Sequence, residues 1–150
     1  MKKINIAIGL TTVLAFFAQN GSAAEIKIKM LNSGEKGAAM VFEPAYVKAN
    51  VGDTIKFEPT QPGGHNAKSL ITPKGAPEFT SKPDTAFSYK LEKEGVYLYA
   101  CEPHKIMGMV GLIQVGKPAN LADVKKTVDL EQPKLMMNKD AYKNVLAQVK

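Results

Sequence analysis

Two stretches of the sequence carry the residue types that bind transition metals. Residues 101–109 read Cys-Glu-Pro-His-Lys-Ile-Met-Gly-Met and contain the only cysteine, one of two histidines and two of seven methionines. The other histidine follows Gly63 and Gly64, and glycines let the backbone come close to a site. Two imidazoles, a thiolate and a weak axial thioether are the ligands of a blue-copper electron-transfer site. The sequence therefore predicts one copper ion bound by His65, Cys101, His104 and Met109.

Other chemistries fit these residues less well. A thioether is a poor zinc ligand, and structural zinc sites usually have four Cys or His ligands. Cys101 and His104 could form the nucleophile and base of a hydrolase, but the sequence contains no oxyanion motif, so we expect no enzyme activity. Met107 is a rival for the axial position, where the loop spacing favours Met109. A protein that stores or delivers copper is the alternative function.

The residue after His65 could support the site. We expect the Asn66 side chain to tie its own loop to the loop that contains Cys101. A backbone N–H that points at the sulfur would modulate the charge of the thiolate.

The first 24 residues have the pattern of a cleavable signal peptide. Lys2 and Lys3 precede a mostly apolar stretch over residues 4–17, and small residues follow at 22–24. The apolar stretch is shorter than the roughly 20 residues of a membrane span, so we expect no membrane anchor after cleavage. The mature chain is predicted to be one domain over residues 25–150. A lone cysteine in an exported domain needs an explanation, and metal binding supplies one.

The charge of the chain excludes one class of partner. Without Lys2 and Lys3 the chain has 18 basic and 14 acidic residues, so its net charge is 18 − 14 = +4. All the basic residues are lysines, and no basic cluster is interleaved with aromatic residues, which argues against nucleic acid. A mild positive charge suits weak electrostatic steering towards an acidic protein.

Alternating apolar residues predict strands that position the metal-binding residues. The strands are expected over residues 25–31, 45–49, 54–57, 85–91, 96–101 and 109–115. Both faces of 96–101 are apolar, with Tyr97, Tyr99 and Cys101 on one side, which predicts a central strand. Gly52-Asp53 predicts a meander that joins the second and third strands. Residues 61–84 are irregular and hold His65 near their start.

The hydrophobic period changes to that of a helix after Gly116. Asn120, followed by Asp123, is typical of a helix start, because its side chain can accept a hydrogen bond from a free N–H. Two apolar stripes follow, at Leu121, Val124 and Val128, and at Tyr142, Val145, Leu146 and Val149. We therefore expect a mainly β protein, a β-sandwich with a C-terminal extension of two α-helices.

At these residues the chain resembles the cupredoxins, small type 1 copper electron carriers with a Greek-key β-sandwich. The spacing Cys-x2-His-x4-Met from Cys101 is similar to that of plastocyanin and pseudoazurin. Residues 40–52, the turn at 64–66 and the helical tail after Gly116 resemble pseudoazurin more closely. Some relatives have a lysine directly before this Cys and another two residues before the first His, where this chain has Ala100 and Gly63.

The resemblance also implies a setting for the protein. It implies a carrier in the periplasm that has no substrate turnover of its own. The carrier would dock through the surface around His104 onto redox proteins, either denitrification enzymes such as copper nitrite reductase or a cytochrome. Lys105 is the lysine next to that surface.

Overall fold

Two four-stranded sheets form the body of the protein. A computed structural model describes residues 22–35 and 37–150, so most of the predicted signal peptide lies outside the described residues. The strands are β1 (Glu25–Ser33), β2 (Ala39–Glu43), β3 (Tyr46–Ala49), β4 (Thr54–Glu58), β5 (Lys68–Ile71), β6 (Phe87–Lys90), β7 (Gly95–Ala100) and β8 (Val110–Val115). One sheet has the order β2-β1-β4-β6 and the other β3-β8-β7-β5. The predicted β-sandwich is confirmed.

Strand β7 lies inside its sheet and separates two hydrophobic cores. It pairs with β8 on one side and β5 on the other, and all six of its residues are buried. Tyr97, Tyr99 and Cys101 lie in the core between the sheets, whereas Val96 and Leu98 lie in the core beneath the helices. The predicted division of this strand into two apolar faces is confirmed. It places Cys101 in the core between the sheets, directly after the last residue of β7.

Two α-helices, α1 (Leu121–Glu131) and α2 (Ala141–Leu146), contribute to the second core. Their buried residues are Val124, Val128, Tyr142 and Val145. A 3-10 turn (Gln132–Lys134) follows α1 directly. Within residues 22–35 and 37–150, none of the helices combines the length and apolar character that a membrane crossing requires.

Asn120 precedes α1 as predicted, but its side chain does not cap the helix. Its Oδ1 accepts a hydrogen bond from Val96 N–H at 2.7 Å, and its Nδ2 donates to Val96 O at 2.9 Å. The side-chain amide of Asn120 is hydrogen-bonded to the backbone of Val96 in β7, so it does not cap α1. Asn120 therefore joins the start of α1 to the start of β7.

The predicted meander through Gly52-Asp53 is wrong. Strand β3 pairs in parallel with β8, and β4 pairs in parallel with β1, so the turn carries the chain from one sheet to the other. The Asp53 carboxylate accepts hydrogen bonds from the N–H groups of Ala24 and Asn50, each at 2.8 Å. Turn residues predict a change of direction, but they do not determine which strand each neighbour pairs with.

Candidate metal centre

Three of the predicted ligands lie in the loop that connects β7 to β8. Because these strands are paired, their hydrogen bonding continues into the loop, where Cys101 N–H donates to Met109 O at 2.9 Å. His104 N–H donates to Cys101 O at 3.2 Å, and Met109 N–H donates to His104 O at 3.3 Å. A 3-10 turn (Lys105–Met107) and Gly108, with φ of +82°, complete the connection. Backbone geometry thus brings Cys101, His104 and Met109 close together.

The loop that carries His65 is held by the carboxylate of Asp84. Its oxygens accept hydrogen bonds from the N–H groups of Gly63 at 3.2 Å, Gly64 at 2.8 Å and His65 at 2.9 Å. Asp84 N–H in turn donates to His65 O at 2.8 Å. The N–H groups of Gly64 and Gly63 lower the pKa of Asp84. Sequence reasoning missed Asp84, because an acid 19 residues away carries no local signal.

The imidazole of His65 is oriented by Asn32. Asn32 Oδ1 lies 2.9 Å from His65 Nε2, and its Nδ2 donates to Pro62 O at 3.0 Å, which assigns the amide oxygen to the ring. Because an amide oxygen can only accept, Nε2 carries the proton and Nδ1 is free to bind a metal. A side chain at Gly63 would overlap the Asn32 amide. This overlap explains why a lysine cannot stand at that position without moving Asn32.

The donor atoms of His65, Cys101 and His104 converge. Cys101 Sγ lies 3.4 Å from His104 Nδ1 and 4.0 Å from His65 Nδ1, and the three donor atoms lie within 4.8 Å of one another. Nitrogen and sulfur ligands lie about 2.0–2.3 Å from a metal ion, so two ligands of one ion are roughly 3–4 Å apart. The arrangement therefore fits a single soft or borderline cation.

Burial distinguishes the members of the site. His65 and Cys101 are fully buried, whereas His104 is only half-buried and is the ring nearest to solvent. Met109 is also fully buried, in the same core as Cys101. Met107 is half-buried in the 3-10 turn and lies outside that core. The structure thus places Met109, rather than its rival, in the core that contains the thiol.

Asn66 joins the two loops and contacts the sulfur. Its Oδ1 accepts a hydrogen bond from Glu102 N–H at 2.7 Å, and its own N–H points at Cys101 Sγ at 3.5 Å. The predicted tie between the two loops through Asn66 is confirmed, and the N–H expected to point at the sulfur belongs to the same residue. Lys68 Nζ lies 2.6 Å from Glu102 Oε1 and adds an exposed ion pair across the same two loops. The sulfur is therefore held in a fixed polar environment inside an apolar core.

Without a metal ion, the site holds a neutral imidazole at His65 and a protonated thiol at Cys101. Burial, with the nearby His104 ring, lowers the pKa of His65, so its imidazole is neutral at pH 7. Burial raises the pKa of the Cys101 thiol. A metal ion that binds here must replace the thiol proton, because only the thiolate is a strong ligand.

Comparison with known protein families decides the class of this site. The model of the copper-binding proteins of the plastocyanin/azurin family matches residues 28–116. The chain belongs to this family. The cupredoxin resemblance is confirmed, copper is the cofactor, and electron transport is the general function of this cupredoxin.

Pseudoazurins are among the relatives of this cupredoxin. The chain is 41% identical to pseudoazurin of Paracoccus pantotrophus over 128 residues, which cover 84% of this chain and 86% of the relative. It is 40% identical to pseudoazurin of Methylorubrum extorquens over 125 residues, which cover 82% and 80%. Its fold matches the crystal structure of native pseudoazurin from Hyphomicrobium denitrificans with a TM-score of 0.74 and 36% identity, over 84% of this chain and 98% of the other. These matches confirm the resemblance to pseudoazurin.

Proposed function

We propose that this cupredoxin is a periplasmic electron carrier that binds one type 1 copper ion. His65, Cys101 and His104 would bind the ion strongly, and Met109 would be its weak fourth ligand. The observation that carries this proposal is the convergence of two imidazole Nδ1 atoms on one buried sulfur, at 3.4 and 4.0 Å. Copper supplies a one-electron couple when it is bound.

The role of the chain is to keep the ligand positions fixed. Asn32 orients the His65 ring, the N–H of Asn66 points at the Cys101 sulfur, and the β7–β8 connection positions His104 and Met109. Copper exchanges electrons fastest when neither oxidation state forces its ligands to move. Side chains positioned by hydrogen bonds and packing meet that requirement.

Burial of the sulfur argues against the hydrolase alternative. A Cys-His nucleophile must reach a substrate as a thiolate. Cys101 is fully buried, and its pKa is raised by that burial. A substrate therefore has no access to the sulfur, and the thiol is not activated.

The same burial separates a carrier from a protein that stores or delivers copper. A delivery protein must release its ion easily, whereas here the thiol and one imidazole are fully buried. The test is to add Cu(II) to the purified protein, record the visible spectrum and then add a mild chelator. We expect an intense thiolate charge-transfer band that a reductant bleaches reversibly and that the chelator removes slowly. A colourless complex that the chelator strips at once would support delivery.

The proposed partner is a redox protein that docks beside His104, such as copper nitrite reductase or a cytochrome. Three exposed apolar residues belong to the loop that carries His104 and to the segment hydrogen-bonded to it: Ile106 is 53% exposed, Met136 72% and Met137 44%. Met136 N–H donates to Ile106 O at 2.7 Å, which brings the C-terminal segment next to the ligand loop. We call His104, Ile106, Met136 and Met137 the docking face.

A matched pair of substitutions tests the docking face. Ile106→Glu places a charge in the face, and Val51→Glu makes the same change at a valine that is 52% exposed in the β3–β4 turn. We expect Ile106→Glu to slow electron transfer to copper nitrite reductase or a cytochrome in stopped-flow experiments, with an unchanged copper spectrum. Equal rates for the two variants would place the contact elsewhere.

The proposed location depends on export and cleavage of residues 1–24. N-terminal sequencing of the protein recovered from the periplasm should begin at Glu25. A protein that stays in the cytoplasm, or keeps its first 24 residues, would contradict this part of the proposal.

A further inference from the structure

The segment that joins α1 to α2 lies against the ligand turn, which we define as residues 104–109. Met136 N–H donates to Ile106 O at 2.7 Å, and Met137 N–H lies 3.4 Å from the same oxygen. Asn138 Nδ2 donates to Met107 O at 2.9 Å. The hydrogen bonds inside the turn use the carbonyls of His104 and Lys105. The segment between α1 and α2 therefore binds the next two carbonyl groups of the turn, those of Ile106 and Met107.

Asn138 connects three parts of the chain through one amide nitrogen. Besides Met107 O, its Nδ2 donates to Ala39 O at 2.9 Å, in the first residue of β2. These partners are 31 and 99 residues away in sequence. Asn138 itself has φ of +40°, a left-handed conformation that Asn adopts more readily than most residues. The identity of residue 138 thus suits both the backbone and the amide contacts.

Gly108 allows this close approach. A Cβ atom at Gly108 would lie 2.6 Å from Asn138 Cβ and 3.2 Å from Met137 O. Its φ of +82° is a second reason for glycine at this position. The absence of a side chain at Gly108 therefore leaves room for the side chain of Asn138 against the ligand turn.

We infer that Asn138 is a positioning residue for the metal centre. It ties the turn between His104 and Met109 to β2, and β2 contributes Phe42 to the core that contains Cys101 and Met109. Residues that orient metal ligands affect metal affinity although they do not touch the ion. The inference rests on the proposed function, because the turn positions copper only if His104 and Met109 bind it.

An ion pair also connects the ligand turn to the end of α1, but it contributes less than the hydrogen bonds of Asn138. Lys105 Nζ lies 3.0 Å from Glu131 Oε2, and Lys134 Nζ lies 2.7 Å from Glu131 Oε1. Partly exposed ion pairs of this kind contribute little to stability in water. Asn138 donates one hydrogen bond to Met107 O in the turn and one to Ala39 O in β2, so it is the residue to test.

The test replaces the amide that donates both hydrogen bonds. Asn138→Asp keeps the shape but turns the donor into a carboxylate that repels both carbonyl oxygens. Asn144→Asp makes the same change on the exposed face of α2, at a side chain that has no hydrogen-bond partner in the described ranges. Amide hydrogen exchange on the copper-free protein, and the reduction potential and charge-transfer band of the copper-loaded protein, are measured for both.

We expect the amides of Gly108 and Met109 to exchange faster in Asn138→Asp, while the amides of β7 and β8 exchange as before. We also expect a shifted reduction potential and charge-transfer band, with Asn144→Asp like the unmodified protein. If Asn138→Asp fails to fold, Asn138→Gly keeps the positive φ without the amide and should give the same changes.

Two outcomes would overturn the inference. One is an unchanged exchange rate at Gly108 and Met109. The other is faster exchange with an unchanged potential and spectrum, because Asn138 would then stabilise the turn without positioning its ligands. A failure of the proposed function looks different, since the unmodified protein would then form no coloured site with Cu(II) at all.

Discussion

The two segments that carry the candidate copper ligands are held in different ways. The ligand turn connects paired strands, so backbone hydrogen bonds such as Cys101 N–H to Met109 O position it. His65 lies in irregular chain between β4 and β5, where the side chains of Asp84 and Asn32 hold its backbone and ring. The first segment thus depends mainly on backbone pairing between its neighbours in sequence, with Asn138 as an added tie, and the second depends on side chains 19 and 33 positions away. Substitutions in the two segments should therefore fail in different ways.

The largest effect is expected from removing the sulfur in the first segment. Cys101→Ser should abolish the intense visible band, because oxygen is a harder and less covalent copper ligand than sulfur. The fold should persist, since most of the buried side chains lie elsewhere in the two cores. Visible absorption with Cu(II) and circular dichroism measure the two results. A variant that keeps its colour would show that Cys101 is not the ligand.

In the second segment, loss of a supporting side chain should lower copper affinity without abolishing the coloured site. Asn32→Val removes the acceptor of the His65 Nε2–H bond at similar size. We expect copper affinity to fall roughly 10–100-fold, the usual cost of losing a residue that orients a metal ligand. A competition titration with a chelator measures the affinity.

The control for Asn32 is Asn50→Val, at an exposed asparagine in the β3–β4 turn. The side chain of Asn50 forms no hydrogen bond with any residue that the structure describes. Equal affinities for Asn50→Val and Asn32→Val would mean that the ring of His65 needs no orienting partner.

Substitution of the predicted axial ligand, in the first segment, should change the reduction potential without removing the coloured site. Met109→Gln should keep a coloured site and lower the reduction potential, because a harder ligand favours the oxidised ion. Met107→Gln should leave the potential close to that of the unmodified protein, since Met107 lies outside the core that contains Cys101. Voltammetry distinguishes the two variants. The reverse pattern would assign the axial position to Met107.

The carboxylate of Asp84 makes the second segment sensitive to acid. Its lowered pKa means that it stabilises the loop above its unfolded pKa of about 3.9. That contribution is lost as the pH falls through the lower folded pKa. NMR titration of the copper-free protein should show a shift of the Gly64 amide below about pH 3.9, separate from the shift that protonation of the adjacent His65 causes at higher pH. In Asp84→Ala the shift should be absent, and an unchanged titration would show that another group causes it.

The smallest effect concerns the outer surface of the ligand turn. Lys105 is paired with Glu131, so its charge is partly compensated. Lys105→Glu should nevertheless slow association with an acidic redox partner more than Lys93→Glu, which lies at the opposite end of β7. The difference should fade as salt rises, because screening acts over about 8 Å at physiological ionic strength. Equal rates for the two variants across the salt series would indicate that Lys105 takes no part in docking.

The same comparison explains how much the sequence predicts. The clustering of the first segment's candidate ligands was predictable because Cys101, His104 and Met109 lie within nine residues between two apolar strands. Their order alone indicates a loop that backbone pairing can close. The apolar stripes on both faces of β7 also follow from local pattern, as do the two helices.

The residues that support His65 could not be predicted in this way. Asn32 lies just beyond the strand expected over residues 25–31, but β1 extends to Ser33 and carries it to the site. Asp84 is separated from His65 in the sequence by β5, and the residues around Asp84 do not indicate its partners. The capping contact expected of Asn120 and the pairing of β3 and β4 were mispredicted for the same reason. Side-chain capping and strand pairing depend on contacts between distant parts of the chain.

The central claim is that the folded chain holds the copper ligands in place through both oxidation states. X-ray absorption spectra of the copper-loaded protein, recorded in the oxidised and the reduced form, test it most directly. We predict one short copper–sulfur and two copper–nitrogen distances that change little on reduction, and loss of the short sulfur distance in Cys101→Ser. A copper ion without a short sulfur ligand, or one that loses a nitrogen ligand on reduction, would contradict the account.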